Sequence, residues 1–170
     1  MVVTIIPTIG RNTLEKAVQS AIRNNDKYDY YDEETYIPII ENNGTAGQNR
    51  NNGIKKAKVI NPEWITFLDD DDYYEEDWGL KLDDDYDIVV LRMKQGEAII
   101  PDETDELRFA NVGINFALNM NRIKWEDLPE FDSNGEGEDW RFLEKLLQKY
   151  NKVKITKNIY YVAEKRNYNQ

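Results

Sequence analysis

Cysteine and histidine are both missing from the 170-residue sequence. Without cysteine there is no disulfide, no thiolate nucleophile and no Cys-based zinc site. Without histidine, any general acid or base must be a carboxylate, a lysine or a tyrosine, and any metal must rest on oxygen. No apolar stretch approaches the roughly 20 residues that span a bilayer. The opening Met1–Pro7 has no basic segment and too short an apolar one for a signal peptide, so a soluble cytoplasmic protein is expected. Basic residues are also few: 22 Lys and Arg stand against 33 Asp and Glu, a formal charge of -11. No basic face stands out for a nucleic acid to bind. An acidic surface favours solubility and cation binding instead. Hydrophobic residues make up 40% and aromatics 12%, enough for a real core, and one compact domain over residues 1–170 is expected.

Apolar runs and helical periodicities alternate along the chain. Val2–Ile6 reads as a buried strand stopped by Pro7. Asn12 and Glu15 have capping-box spacing, and Leu14, Ala17, Val18, Ala21 and Ile22 fall on one helical face. A polar loop with Tyr28, Tyr30 and Tyr31 leads to a second strand at Tyr36–Ile40, where Pro38 points to an edge or irregular position. A helix over Gln48–Lys58 would turn Ile54 and Ala57 inward, although Gly53 disfavours it. Strands follow at Trp64–Leu68, Asp87–Leu91 and Glu97–Ile100. Ala110–Leu118 is ambiguous between strand and loop. The last helix is expected over Glu138–Tyr150, with Trp140, Leu143, Leu147 and Tyr150 on one face. Lys152–Ile155 and Ile159–Val162 read as two closing strands. Such alternation predicts an α/β fold with a mainly parallel central sheet flanked by helices.

The most telling junction lies where Trp64–Leu68 runs straight into Asp69-Asp70-Asp71-Asp72. Adjacent carboxylates disfavour joint ionisation unless a cation or hydrogen-bond donors compensate, and a hard divalent ion with oxygen ligands would do so. An acidic run alone is also what a solvated loop looks like. Here it sits at the carboxyl end of a core strand, where open α/β sheets bind ligands. Pro7-Thr8 and Glu41 end the other two strands at the same level, so the three should share one crevice.

In this order the segments resemble the family 2 glycosyltransferases, which have the GT-A nucleotide-sugar-binding fold. Val3–Thr8 is similar to the family's first strand, and Ile39–Thr45 to its second strand and turn. Asn49–Ile54 with Ala57 is similar to the helix that follows. Phe67–Asp72 resembles the DXD region, and Gly137-Glu138-Asp139-Trp140 the late Glu-Asp motif. The resemblance implies an inverting transferase that moves a sugar from a nucleotide donor, a UDP-sugar, to a hydroxyl acceptor. It implies Mn²⁺ or Mg²⁺ as cofactor, held by Asp71. Asp70 would face the ribose or a metal-bound water, and Asp69 would shape the turn. Pro7, Thr8 and Glu41 would hold the base, while Arg50 and Arg11 would approach the diphosphate. Asp139 would be the general base.

Each assignment has an ordinary counterpart. Glu41 could be a simple turn acid, Arg50 a surface helix residue, and Glu138 with Asp139 an electrostatic favour to a helix N-terminus. Glu76-Asp77-Trp78 repeats the Glu-Asp-Trp letters, but too soon after the aspartates to match the late motif. Trp140 sits on the apolar stripe and reads as core; Trp78 and Trp125 could stack on a sugar or pack. Two departures from the family stand out. The second strand ends in Glu41 where the family has Asp, and Tyr160–Asn167 resembles the closing segment without its metal-binding His. The short stretch between Asp72 and Asp139 implies a small acceptor site, or one completed by an oligomer or partner. A retaining transferase, or a non-catalytic module that binds nucleotide or metal, are the alternatives.

Overall fold

Val2–Pro7 forms β1, and all of its residues are buried, as befits a strand with neighbours on both sides. The computed structural model describes residues 1–22, 36–133 and 137–164. The tyrosines at 28, 30 and 31, residues 134–136 and the segment from Lys165 onward lie outside them. β1 pairs in parallel with β2 (Tyr36–Glu41) on one side and β3 (Trp64–Phe67) on the other. The helices α1 (Leu14–Ile22) and α2 (Ala46–Ile60) lie on the two connections. Further along come β4 (Tyr73–Tyr74), β5 (Ile88–Gln95), β6 (Ala98–Ile100), β7 (Phe116–Asn119), the helix α3 (Glu138–Leu147) and β8 (Val153–Ala163). The sheet order is β2-β1-β3-β7-β5-β8-β4, with β6 added to β5.

The α/β fold expected from the alternation is the one that forms, but the sheet is mixed rather than mainly parallel. Among the described residues, only β1 with β2, β1 with β3, and β5 with β8 run parallel. β7 lies antiparallel between β3 and β5, β6 is antiparallel to β5, and β4 to β8. Parallel neighbours need a long crossover, usually helical. After β5 the chain instead reverses tightly, with Gly96 at φ 63°, and returns to the sheet as β7 without a described helix between.

Local chemistry explains the remaining differences. α2 starts earlier than the periodicity indicates because Thr45 and Gln48 form a reciprocal capping box: Gln48 N donates to Thr45 Oγ1 at 3.3 Å and Thr45 N to Gln48 Oε1 at 3.0 Å. α1 starts at Leu14, with the Thr13 carbonyl accepting from Ala17 N at 3.1 Å, one residue later than a cap at Asn12 would give. The ambiguous Ala110–Leu118 contributes a strand only from Phe116. The two closing strands are one, β8, whose register shifts opposite Val90–Met93. There Arg92 N donates to Thr156 Oγ1 at 2.9 Å, so a side chain fills the gap in the ladder. α3 ends at Leu147 and buries Phe142, Leu143 and Leu146.

Pro38 is in register with Thr4 on β2, the edge strand, as its missing N–H requires. Phe67, Phe116, Phe131 and Phe142 make an aromatic core, with Phe131 stacked on Phe142 at 3.9 Å between centroids. Trp78 is fully buried and stacks on Tyr74 at 4.2 Å, so the early Glu-Asp-Trp copy is a packing element. Trp140 packs partly buried against the core. Among the described residues no helix is long and apolar enough to cross a membrane.

Gly53 disfavours a helix by propensity, yet it is required by packing. A Cβ at this position would collide with the side chain of Ile5, itself wholly buried in β1. Gly53→Ala should therefore cost about 1–3 kcal/mol through overpacking, despite its better helix propensity. Thermal denaturation should show a lowered midpoint; a raised one would mean that α2 sits farther from the sheet.

Candidate functional site

β1 and β2 end level, with Pro7 opposite Glu41 and Thr8 N donating to the Glu41 carbonyl at 2.8 Å. On the other flank, Leu68 N donates to Ile5 O at 3.1 Å, which carries β3 straight into the aspartates. A cleft of about 260 Å³ opens at these strand ends. Pro7, Thr8 and Arg11 line it from the end of β1, Asp69 and Asp70 from the aspartate turn, Asn49 and Arg50 from α2, and Glu138 and Asp139 from α3. This is the carboxyl-end crevice of an open α/β sheet.

Asp70 is 1% exposed and collects donors from the loop after β1. Thr8 Oγ1 donates to its Oδ2 at 2.5 Å and Ile9 N at 3.2 Å, while Arg11 pairs with its Oδ1. Gly10, at φ 85°, turns its N–H to Thr8 Oγ1 at 2.8 Å, a backbone conformation that favours glycine. Arg11 lies 3.7 Å from Asp71 and is 36% exposed.

Arg50 differs. It is 3% exposed, and three carboxylates from two distant segments surround it. Its Nη2 donates to Asp69 Oδ1 at 2.6 Å, and its Nη1 pairs with Glu138 and lies 3.1 Å from Asp139 Oδ1. Burial alone would pull the guanidinium pKa down, but Asp69, Asp139 and Glu138 together push it above its ordinary value.

Asp69, Asp71 and Asp72 bring carboxylate oxygens within 4.8 Å of one another. Burial first, then the negative charge of Asp69, pushes the Asp72 carboxyl up to about 7. The Tyr161 hydroxyl opposes this shift, donating to Asp72 Oδ2 at 2.7 Å, and Glu164 N donates to Oδ1 at 3.1 Å. Burial also raises the Tyr161 phenol well above its ordinary range, with Asp69 and Asp72 adding to it. The closing segment that lacks a His thus reaches the aspartate turn with a phenol and a backbone N–H.

Of the residues singled out from sequence, the cleft gathers Pro7, Thr8, Arg11, Arg50, Asp69, Asp70 and Asp139, with Asp71 beside it in the carboxylate cluster. Glu41 does not line the cleft: its side chain is buried and paired with Lys56 of α2. Four contributors escaped the sequence. Glu138 was visible as the first letter of its motif. Asn49 is buried and bridges Asn43 N and the Gly44 carbonyl, fixing the turn after β2. Asp72 and Tyr161 are joined only by the fold, and no local pattern marks them.

No family model matches the sequence, and no curated protein does. Solved structures do match. S. aureus TarS 1-349 in complex with UDP-GlcNAc superposes with TM-score 0.69 at 19% identity, over 97% of this chain and 58% of that one. The same protein in complex with UDP gives 0.67 at 18% identity, over 95% and 60%. A197 from STIV gives 0.58 at 15% identity, over 91% and 81%. The likeness shows the fold: an α/β domain with a mixed sheet flanked by helices, shared with these structures over nearly all of this chain. The chain spans about 60% of the length of TarS 1-349.

Because the Tyr161 hydroxyl favours the ionised form of Asp72, Tyr161→Phe should move the Asp72 titration upward from about 7. Carboxyl-carbon NMR would read the midpoint. One near the ordinary 3.8 in the wild type would show that the turn is more open to water than this geometry implies.

Proposed function

We propose that this chain transfers a sugar, with inversion, from a UDP-sugar to a hydroxyl acceptor, using Mn²⁺ or Mg²⁺ at the aspartate turn. One observation carries the reading: the aspartate turn and Asp139, far apart in sequence, line a single cleft at the ends of β1 and β3, in a fold similar to a protein solved with UDP-GlcNAc.

The donor set suits a hard divalent cation. Asp69, Asp71 and Asp72 offer oxygen alone, and the Asp72 carboxyl is raised by burial first and by the negative charge of Asp69 second, a charge that a cation would offset. When bound, such an ion withdraws charge from a departing diphosphate. The chain's own residues do the rest. Pro7 and Thr8 wall the base side of the cleft, and Asp70, fixed by Thr8 and Arg11, faces the ribose. The more open Arg11 offers its planar fork to phosphate oxygens. Glu41 would accept from a ring N–H of the base only after parting from Lys56. Asp139 takes the proton of the acceptor hydroxyl as that oxygen attacks the anomeric carbon opposite the leaving diphosphate, and one such displacement inverts the centre.

Water can stand in for the acceptor in a first test. With UDP-GlcNAc and Mn²⁺, Asp139→Asn should lower UDP release by about a hundredfold or more while UDP affinity by calorimetry stays within about twofold. Undiminished release would remove Asp139 as the base. UDP binding without release from any UDP-sugar in a panel would favour a non-catalytic module. A product of retained anomeric configuration, read by NMR, would favour a retaining transferase.

A second expectation concerns pH. A carboxyl whose folded pKa is raised stabilises the fold below its unfolded pKa and loses that contribution as pH climbs through the folded value. For Asp72 the window runs from 3.8 to about 7. The gap between the melting temperatures with Mn²⁺ and with EDTA should therefore widen as pH rises from about 5 to about 8, as ionised Asp72 comes to need the cation. A gap independent of pH would place the ion elsewhere.

A further inference from the structure

The face of α2 that meets the late segment carries Gly47, Arg50 and Asn51, spaced so that they share one side of the helix. Each makes a different kind of contact. Gly47 lies so close to the Asp132 carbonyl that a Cβ would collide with it. Asn51 exchanges two hydrogen bonds with the backbone of Phe131, Nδ2 to O at 2.9 Å and N to Oδ1 at 2.8 Å. Arg50 lies 5.4 Å from the Phe131 ring centroid and pairs with Glu138 and Asp139. The same guanidinium holds Asp69 at 2.6 Å. A single buried cation thus ties the start of α3 to the aspartate turn.

A guanidinium with both terminal nitrogens on carboxylates has little left for a phosphate. To reach a diphosphate it would have to leave carboxylates behind in a largely buried setting, which is costly. Arg11 meets Asp70 and Asp71 through its Nη1 and is 36% exposed, so the rest of its fork can turn to a phosphate without leaving a buried carboxylate behind. We infer that Arg50 and Glu138 are positioning residues: together they set the Asp139 carboxylate at a fixed place relative to the aspartate turn, and Arg50 is not a ligand of the diphosphate. The inference rests on the transferase function proposed above and assigns a role within that site.

The split between binding and turnover tests it. Glu138→Gln keeps a hydrogen-bond acceptor for Arg50 but removes the charge. Arg50→Lys keeps the charge but loses the fork. Both variants are conservative enough to fold, which circular dichroism and melting would verify. With Mn²⁺ present, each should bind UDP within about threefold of wild type, while kcat for UDP release from UDP-GlcNAc falls about tenfold or more at little-changed KM. Arg11→Met should behave the opposite way, weakening UDP by about tenfold. Loss of UDP affinity in Arg50→Lys comparable to that in Arg11→Met would overturn the inference and make Arg50 a phosphate ligand. Wild-type kcat in Glu138→Gln would overturn it as well. In both cases a wild type that releases UDP leaves the transferase reading standing. A wild type that binds UDP but turns over no donor would remove both together.

Discussion

A guanidinium almost wholly withdrawn from water, with carboxylates on two sides, is the interaction on which this structure turns. Desolvating a cation costs several kcal/mol, and only close, well-directed partners repay it. Arg50 has them in Asp69, Glu138 and Asp139. The pairing is stable only as a set, because removing any one charge leaves the others buried without full compensation. Its partners come from the end of β3 and the start of α3. The half of the sheet built from β1, β2 and β3 is thereby joined to the later part of the chain at the cleft itself.

The aspartate run divides its labour according to what surrounds each carboxylate. Asp69 faces Arg50, Asp70 is wrapped by the loop after β1, and Asp72 is held by the last strand. Four identical letters in a row therefore occupy distinct electrostatic environments, and that of Asp72 pushes its carboxyl up to about 7. Asp71, expected to hold a metal, lies in one cluster with Asp69 and Asp72, their carboxylate oxygens within 4.8 Å of one another.

Much of this was legible in the amino-acid sequence, for identifiable reasons. The first three strands and the two early helices announce themselves through apolar runs and period, and their ends converge because parallel strands of similar length must. Pro38 marks the edge. The Thr45–Gln48 capping box could have been read and set the start of α2. What stays hidden is long-range. The antiparallel return of β7 depends on which neighbour a short strand finds. The continuity of β8 depends on Thr156 bridging an irregular register. The burial of Arg50 is created by carboxylates 19 and 88 residues away. Glu41 looks free at a strand end, but Lys56 swings over it from the adjacent helix.

The reciprocal amide clasp between Asn51 and Phe131 has a consequence for how such a protein can diversify. Phe131, Asp132 and Asp139 meet one side of α2 at Asn51, Gly47 and Arg50 respectively. Substitutions at Phe131, Asp132 or Asp139 will strain those anchors, so drift there and on that side of α2 should be correlated.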